Sequence, residues 1–181
     1  MMKDIISPLH ILYIDIVADT IPSIALAFEK NDKKAMKMKP NGLNKRVFTP
    51  FMISMVVGSA IIESAISLVI FFVAEAWYGY EIAMTLALLS VVLTELTFTY
   101  NCKELKDFSF KKGLFGNKVM NISTLVIFAI QIPVFFTGAG SLFGLVTVSA
   151  VQFLGVVGVT LVGFVLLELM KPLCAKLFKD K

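Results

Sequence analysis

Residues Tyr13–Leu26 read YIDIVADTIPSIAL. The run is oily enough to belong to a bilayer-spanning helix, yet it holds Asp15, Asp19 and Pro22. A charged group at the centre of a membrane helix costs about 2.5–3.5 kcal/mol. A proline removes one backbone hydrogen bond and presses its ring on the carbonyl four residues back. The flanks decide what such a stretch belongs to. It lies inside an apolar window, Leu9–Phe28, and four more follow at Val47–Ala74, Ile82–Asn101, Val119–Phe136 and about Leu145–Met170. Each is near or above the roughly 20 residues that cross the hydrocarbon core as a helix. The fold class expected is an all-α membrane protein, a bundle of five transmembrane helices. Continuous apolar runs, rather than short alternating ones, argue against a β-barrel.

Composition agrees. Of 181 residues 57% are hydrophobic and only 17% charged, and the mean hydropathy is +0.84, outside the range of a soluble domain. No internal repeat, low-complexity tract or second domain is visible, so residues 1–181 read as one membrane domain. Lys3 precedes an apolar run, as in a signal peptide, but Asp15 and Asp19 interrupt the run and no small-residue cleavage site follows.

The net charge of +4 is distributed in a telling way. Seven Lys/Arg lie between Lys30 and Arg46, five between Lys103 and Lys118, and four between Lys171 and Lys181; only Lys3 remains. With five spans, these three clusters fall on one side. The positive-inside rule then places both long loops and the C-terminus in the cytoplasm and the N-terminus outside. The basic clusters read as topology signals and contacts to the lipid bilayer, not as a nucleic-acid surface. Trp77, Tyr78 and Tyr80 fit an interfacial aromatic belt on the outer side. Cys102 and Cys174 map to the cytoplasmic side, where a disulfide is not expected. The sequon Asn121-Ile-Ser123 falls at a cytoplasmic boundary and reads as chance.

Four acids are placed at membrane depth: Asp15, Asp19, Glu63 and Glu95. Such residues face a cavity, a partner or an ion. Asp15 and Asp19, at i and i+4, share one helix face a turn apart. Their like charges repel unless a cation lies between them or one protonates. Pro22 is expected to kink or unwind the helix around residues 18–21 and free the carbonyl of Ala18, which makes an oxygen-rich cluster suited to a hard cation. The alternative is a pair of capping aspartates beside an ordinary membrane proline. Glu95 reads as a third ligand or a proton acceptor, or else as a protonated acid bonded to a neighbouring hydroxyl. Glu63 has a structural or a functional role with equal claim. Gly155, Gly158 and Gly163, with Gly58, Ser59 and Ala60, read as close-packing faces. His10 reads as interfacial.

The stretch PLHILYIDIVADTIP (Pro8–Pro22), followed by Ala27-Phe28-Glu29, Met36-Lys37 and Pro40, resembles the sixth transmembrane helix and next loop of type II P-type cation-transporting ATPases. Thr85-Leu-Ala through Thr94-Glu95 and Asn101-Cys102 resemble the eighth helix. Gly113-Leu-Phe-Gly-Asn-Lys118 is similar to the family's GLFSNK loop, and Glu168-Leu-Met-Lys171 to the end of the tenth helix. The resemblance covers nearly the whole chain. It implies that Asp15, Asp19 and Glu95 coordinate a transported metal cation, calcium or sodium/potassium, with no organic cofactor. Asp15 stands where calcium pumps have Asn, and is similar to sodium/potassium-type pumps; Ala18 stands where the family has Thr. Glu63 matches no family ligand.

The family's D-K-T-G-T and G-D-G-x-N-D motifs are not in these 181 residues, nor are counterparts of helices one to five. Three readings follow. The chain is the C-terminal membrane module of a P-type pump, contributing half a cation site, not an enzyme alone, and partnered by the missing N-terminal part in the cell membrane. Or it is a stand-alone accessory or remnant protein. Or it is a small channel or carrier.

Overall fold

The computed structural model describes residues 7–28, 48–102, 108–109 and 116–177. The basic stretch Lys30–Arg46, the lysines from Lys103 to Lys112, Lys179 and Lys181, and the Glu29, Met36, Lys37 and Pro40 matches lie outside them. Five helices are long and apolar enough to cross a membrane: α1 (Pro8–Ala27), α2 (Pro50–Tyr78), α3 (Tyr80–Cys102), α4 (Lys118–Phe136) and α5 (Ala150–Leu177). No strand occurs among the described residues.

The helix ends follow local chemistry. Ser7, Thr49 and Asn117 hold extended N-cap backbones, and their side-chain oxygens accept from His10, Met52 and Met120 backbone N–H groups. Pro8 and Pro50 open α1 and α2, where a missing N–H costs nothing. Between α2 and α3 stands a single residue, Gly79, at φ +87°, a conformation that a side chain would strain. The Trp77–Tyr80 cluster sits at this tight reversal, with Trp77 75% exposed.

α5 runs from Ala150 to Leu177 rather than from Leu145 to Met170. Residues 145–149 are apolar but not helical. Their backbone is committed elsewhere: Val148 N–H donates to the Phe135 carbonyl (2.9 Å) and Val146 N–H to Thr85 Oγ1 (3.2 Å). Hydropathy registers their oil and misses their pairing.

α3 is the centre of the bundle. Of its membrane-length window 61% is buried, against 11–33% for the other four. It packs on α2 and α5, which also pack on each other, and on α1; the end of α1 packs on α4. The α2–α5 contact is close because of two glycines. A methyl group at Gly58 would collide with Met170 Sδ, and one at Gly163 with Ile66 Cδ1. Gly155 and Gly158 are different: nothing lies within 4 Å of a methyl placed on either. Ala60 is exposed as well, whereas Ser59 is buried. The close-packing expectation is therefore corrected to Gly58, Ser59 and Gly163. Gly163→Leu should destabilise the chain by about 1–3 kcal/mol through overpacking. Gly155→Ala should be neutral or gain up to about 1 kcal/mol from helix propensity. Denaturation in detergent micelles checks the pair; equal effects would contradict the packing.

Candidate cation site

The opening stretch is helical throughout but not uniformly so. Ile14–Thr20 is a π-helix, with hydrogen bonds reaching five residues along, and α-helix resumes at Ile21 with Pro22 in its first turn. Thr20 and Ile21 both hold φ −65°, ψ −48°. The expected unwinding around residues 18–21 is thus corrected to a widened helical turn. The proline begins a new α-helical segment, where its missing N–H is tolerated, and the mismatch in hydrogen-bond register is taken up before it. π-Turns of this kind occur disproportionately at functional sites.

The widened turn has two sides. Tyr13, Ala18, Pro22 and Ala25 are buried. Tyr13 is anchored twice: its hydroxyl donates to Gln131 Oε1 at 2.7 Å, and its ring lies 5.2 Å from that of Phe143. Asp15, Asp19, Thr20 and Ser23 occupy the exposed side. The Thr20 hydroxyl donates to the Asp15 carbonyl at 2.7 Å. The anchors Gln131 and Phe143 therefore aim both aspartates away from α4, at a surface the described residues leave uncovered.

Glu95 is half-buried on α3, within electrostatic reach of both Asp19 and Glu63. Glu63 and Glu95 line a cavity of about 490 Å³ between α2 and α3, with Ser64, Ser67 and Thr94 adding hydroxyls. Glu63 Oε1 is buried there without a hydrogen-bond partner among the described residues. Among the described residues no three His, Cys, Asp or Glu converge closely enough to hold a metal ion between them. Among the described residues the three predicted ligands thus form no closed cage. A calcium ion takes six to eight oxygens, and carboxylates so placed can supply only part of such a shell.

Other functional-looking residues escaped the sequence. Lys171, counted there with the basic tail, lies within α5 and is fully buried. Its ammonium donates to Glu168 Oε1 and to Ser109 Oγ, both at 2.8 Å. Glu168 also accepts from the Ser109 hydroxyl (2.6 Å) and backbone N–H (3.0 Å). His10 is buried in the first turn of α1. Its Nδ1 accepts from Ser7 N–H at 3.2 Å, which leaves Nε2–H to donate to the Phe143 carbonyl at 2.8 Å. Asn117, from the GLFSNK-like loop, donates to the Ala25 carbonyl at 3.2 Å. The advance signals were the motif resemblances that include Asn117, Glu168 and Lys171, the spacing of the last two, and a Ser one turn before His10.

Residues 3–173 match the family model described as the C-terminus of cation-transporting ATPases. A calcium-transporting ATPase of Listeria monocytogenes is 25% identical over 172 residues, 94% of this chain and 19% of the relative. A calcium-transporting ATPase of Bacillus cereus is 23% identical over 69% of this chain and 16% of its own length. A plasma membrane calcium-transporting ATPase of Caenorhabditis elegans is 25% identical over 68% and 11%. The chain spans less than a fifth of the length of each of these relatives.

Proposed function

The chain belongs to the family of cation-transporting ATPase C-termini, and from that premise we propose that it works as the membrane module of a P-type pump. In this reading Asp15, Asp19 and Glu95 donate carboxylate oxygens to a transmembrane cation site. Helices outside these 181 residues complete it, and ATP hydrolysis resides outside them too. The transported ion is calcium, by the names of the relatives. The module sits in the cell membrane with its N-terminus outside, by its charge distribution.

The observation that carries the reading is the position of Asp15 and Asp19. Both are exposed on a helix otherwise lined outward by Leu12, Ile16 and Ile24. Facing lipid, each would cost about 2.5–3.5 kcal/mol. Covered by further helices and a divalent cation, both become ligands. Gentle extraction should therefore bring this chain out in complex with a partner that forms an acid-stable phosphoenzyme from ATP. A chain that always purifies alone and conducts cations by itself in liposomes would replace the module with a small carrier.

A further inference from the structure

The α2–α3 pair carries a long unfilled groove. The cavity of about 490 Å³ that holds Glu63 and Glu95 has Ala60, Ser64 and Leu68 on its α2 wall and Val91 on its α3 wall. A second cavity, of about 110 Å³, lies farther along the same two helices, with Met52 and Val56 facing Phe98 and Cys102. Steps of three or four residues stay on one face of a helix. Val56–Ala60–Ser64–Leu68 and Val91–Glu95–Phe98–Cys102 are therefore two continuous walls, and the cavities are two widenings of one groove. From Met52 to Phe71 the groove follows about 28 Å of helix at 1.5 Å per residue. That is nearly the roughly 30 Å of the hydrocarbon core.

Its mouth is open along α2. Val56 and Leu68 are 58% and 48% exposed, and Ala60 and Ser64 between them are exposed as well. Two small residues four apart let a neighbouring helix backbone come close, yet the α2–α5 contact uses Gly58 and Gly163 instead. Deeper in the groove the polar groups are unmet. Besides Glu63 Oε1, Asn101 Oδ1 is buried with no donor among the described residues. Asn101 is 2% exposed, and its Nδ2 is spent on the Thr97 carbonyl at 3.2 Å. Native proteins satisfy about nine in ten such buried groups, so two orphans in one groove call for donors from outside. Counter-charge is missing too: residues 50–102 hold four acids and no Lys, Arg or His.

A lipid chain would fill the volume but brings neither a donor nor a positive charge to membrane depth. A metal ion between the acids would leave Asn101 unmet and Ala60 and Ser64 bare. A helix can supply all of these at once. We propose that a transmembrane helix from the part of the pump outside these 181 residues lies in this groove, presenting a Lys or Arg to Glu63 and an N–H or O–H donor to Asn101. The proposal deepens the module reading and rests on it for the source of the helix. The match covers 19% of the Listeria relative, which leaves ample chain to provide one.

A photo-crosslinking benzoylphenylalanine in place of Ser64 tests it on the chain in its membrane, with exposed Leu125 on α4 as the comparison position. After gentle extraction, the Ser64 position should be joined to a partner segment that carries Lys or Arg within about one turn of the crosslink. Leu125 should not reach that segment. Glu63→Leu should then act differently on chain and complex. The isolated chain should unfold in detergent no more easily than the parent, because it loses no internal pair, while recovery of the complex should fall about 30-fold or more. A less stable isolated chain would place the partner of Glu63 within these residues and overturn the proposal. So would unchanged recovery of the complex, or crosslinks from Ser64 only to lipid or to a segment without a base. A complex that forms without the Ser64 crosslink removes the groove as its interface and leaves the module reading standing; a chain that never forms a complex removes both.

Discussion

Asp19→Asn in the assembled pump is expected to weaken cation binding more than about 100-fold, since losing even an outer-shell partner of a metal costs about 10–100-fold. The side chain sits on the exposed face of the π-helical turn, within electrostatic reach of Glu95. Asparagine keeps the shape and one oxygen but removes the charge that draws a divalent ion from water. Stability should move the other way or not at all. The neutral amide relieves the about 2.5–3.5 kcal/mol cost of a charge at membrane depth and the repulsion from Asp15 four residues away. Insertion and folding should thus be intact while cation-dependent phosphorylation disappears. Calorimetry and phosphoenzyme formation on the same preparation separate the two effects. Unchanged binding would remove Asp19 from the ligand set.

Glu168→Ala should be the most destabilising single change in the chain, by about 3–5 kcal/mol. It strands the Lys171 ammonium, which is fully buried and donates to Glu168 and Ser109. It also deprives the Ser109 N–H of its acceptor, a loss of about 1–3 kcal/mol for a buried donor. Pairing Glu168→Leu with Lys171→Met removes both charges and should recover most of the first loss but not the second. Unfolding of the two variants in detergent measures this. A single mutant as stable as the parent would mean that the pair is solvated.

What the sequence disclosed, and what it hid, divides along range. The number of helices long and apolar enough to span follows from burial costs that each residue carries by itself, and it was legible. Asp15, Asp19 and Pro22 announced a special turn. Its form did not follow, because a missing N–H can be absorbed by unwinding or by a shift to five-residue hydrogen bonding, and neighbours decide which. Lys171 looked like one more tail lysine because its partners, Glu168 and Ser109, converge on it only in the folded chain. Gly155 and Gly163 are indistinguishable as letters, yet one faces open space and the other Ile66. The side on which Glu63 faces Glu95 depends on how α2 packs against α3, which no helical periodicity in so uniformly apolar a segment reveals.

The central claim is that this chain holds part of a cation site and no more. Equilibrium binding of radioactive calcium tests it most directly, measured on the purified chain in nanodiscs and on the same chain in complex with the rest of the pump. The account predicts saturable, stoichiometric binding by the complex and none by the chain alone at the same free calcium. Saturable binding by the isolated chain, lost in Asp19→Asn, would contradict it and make these five helices a complete site.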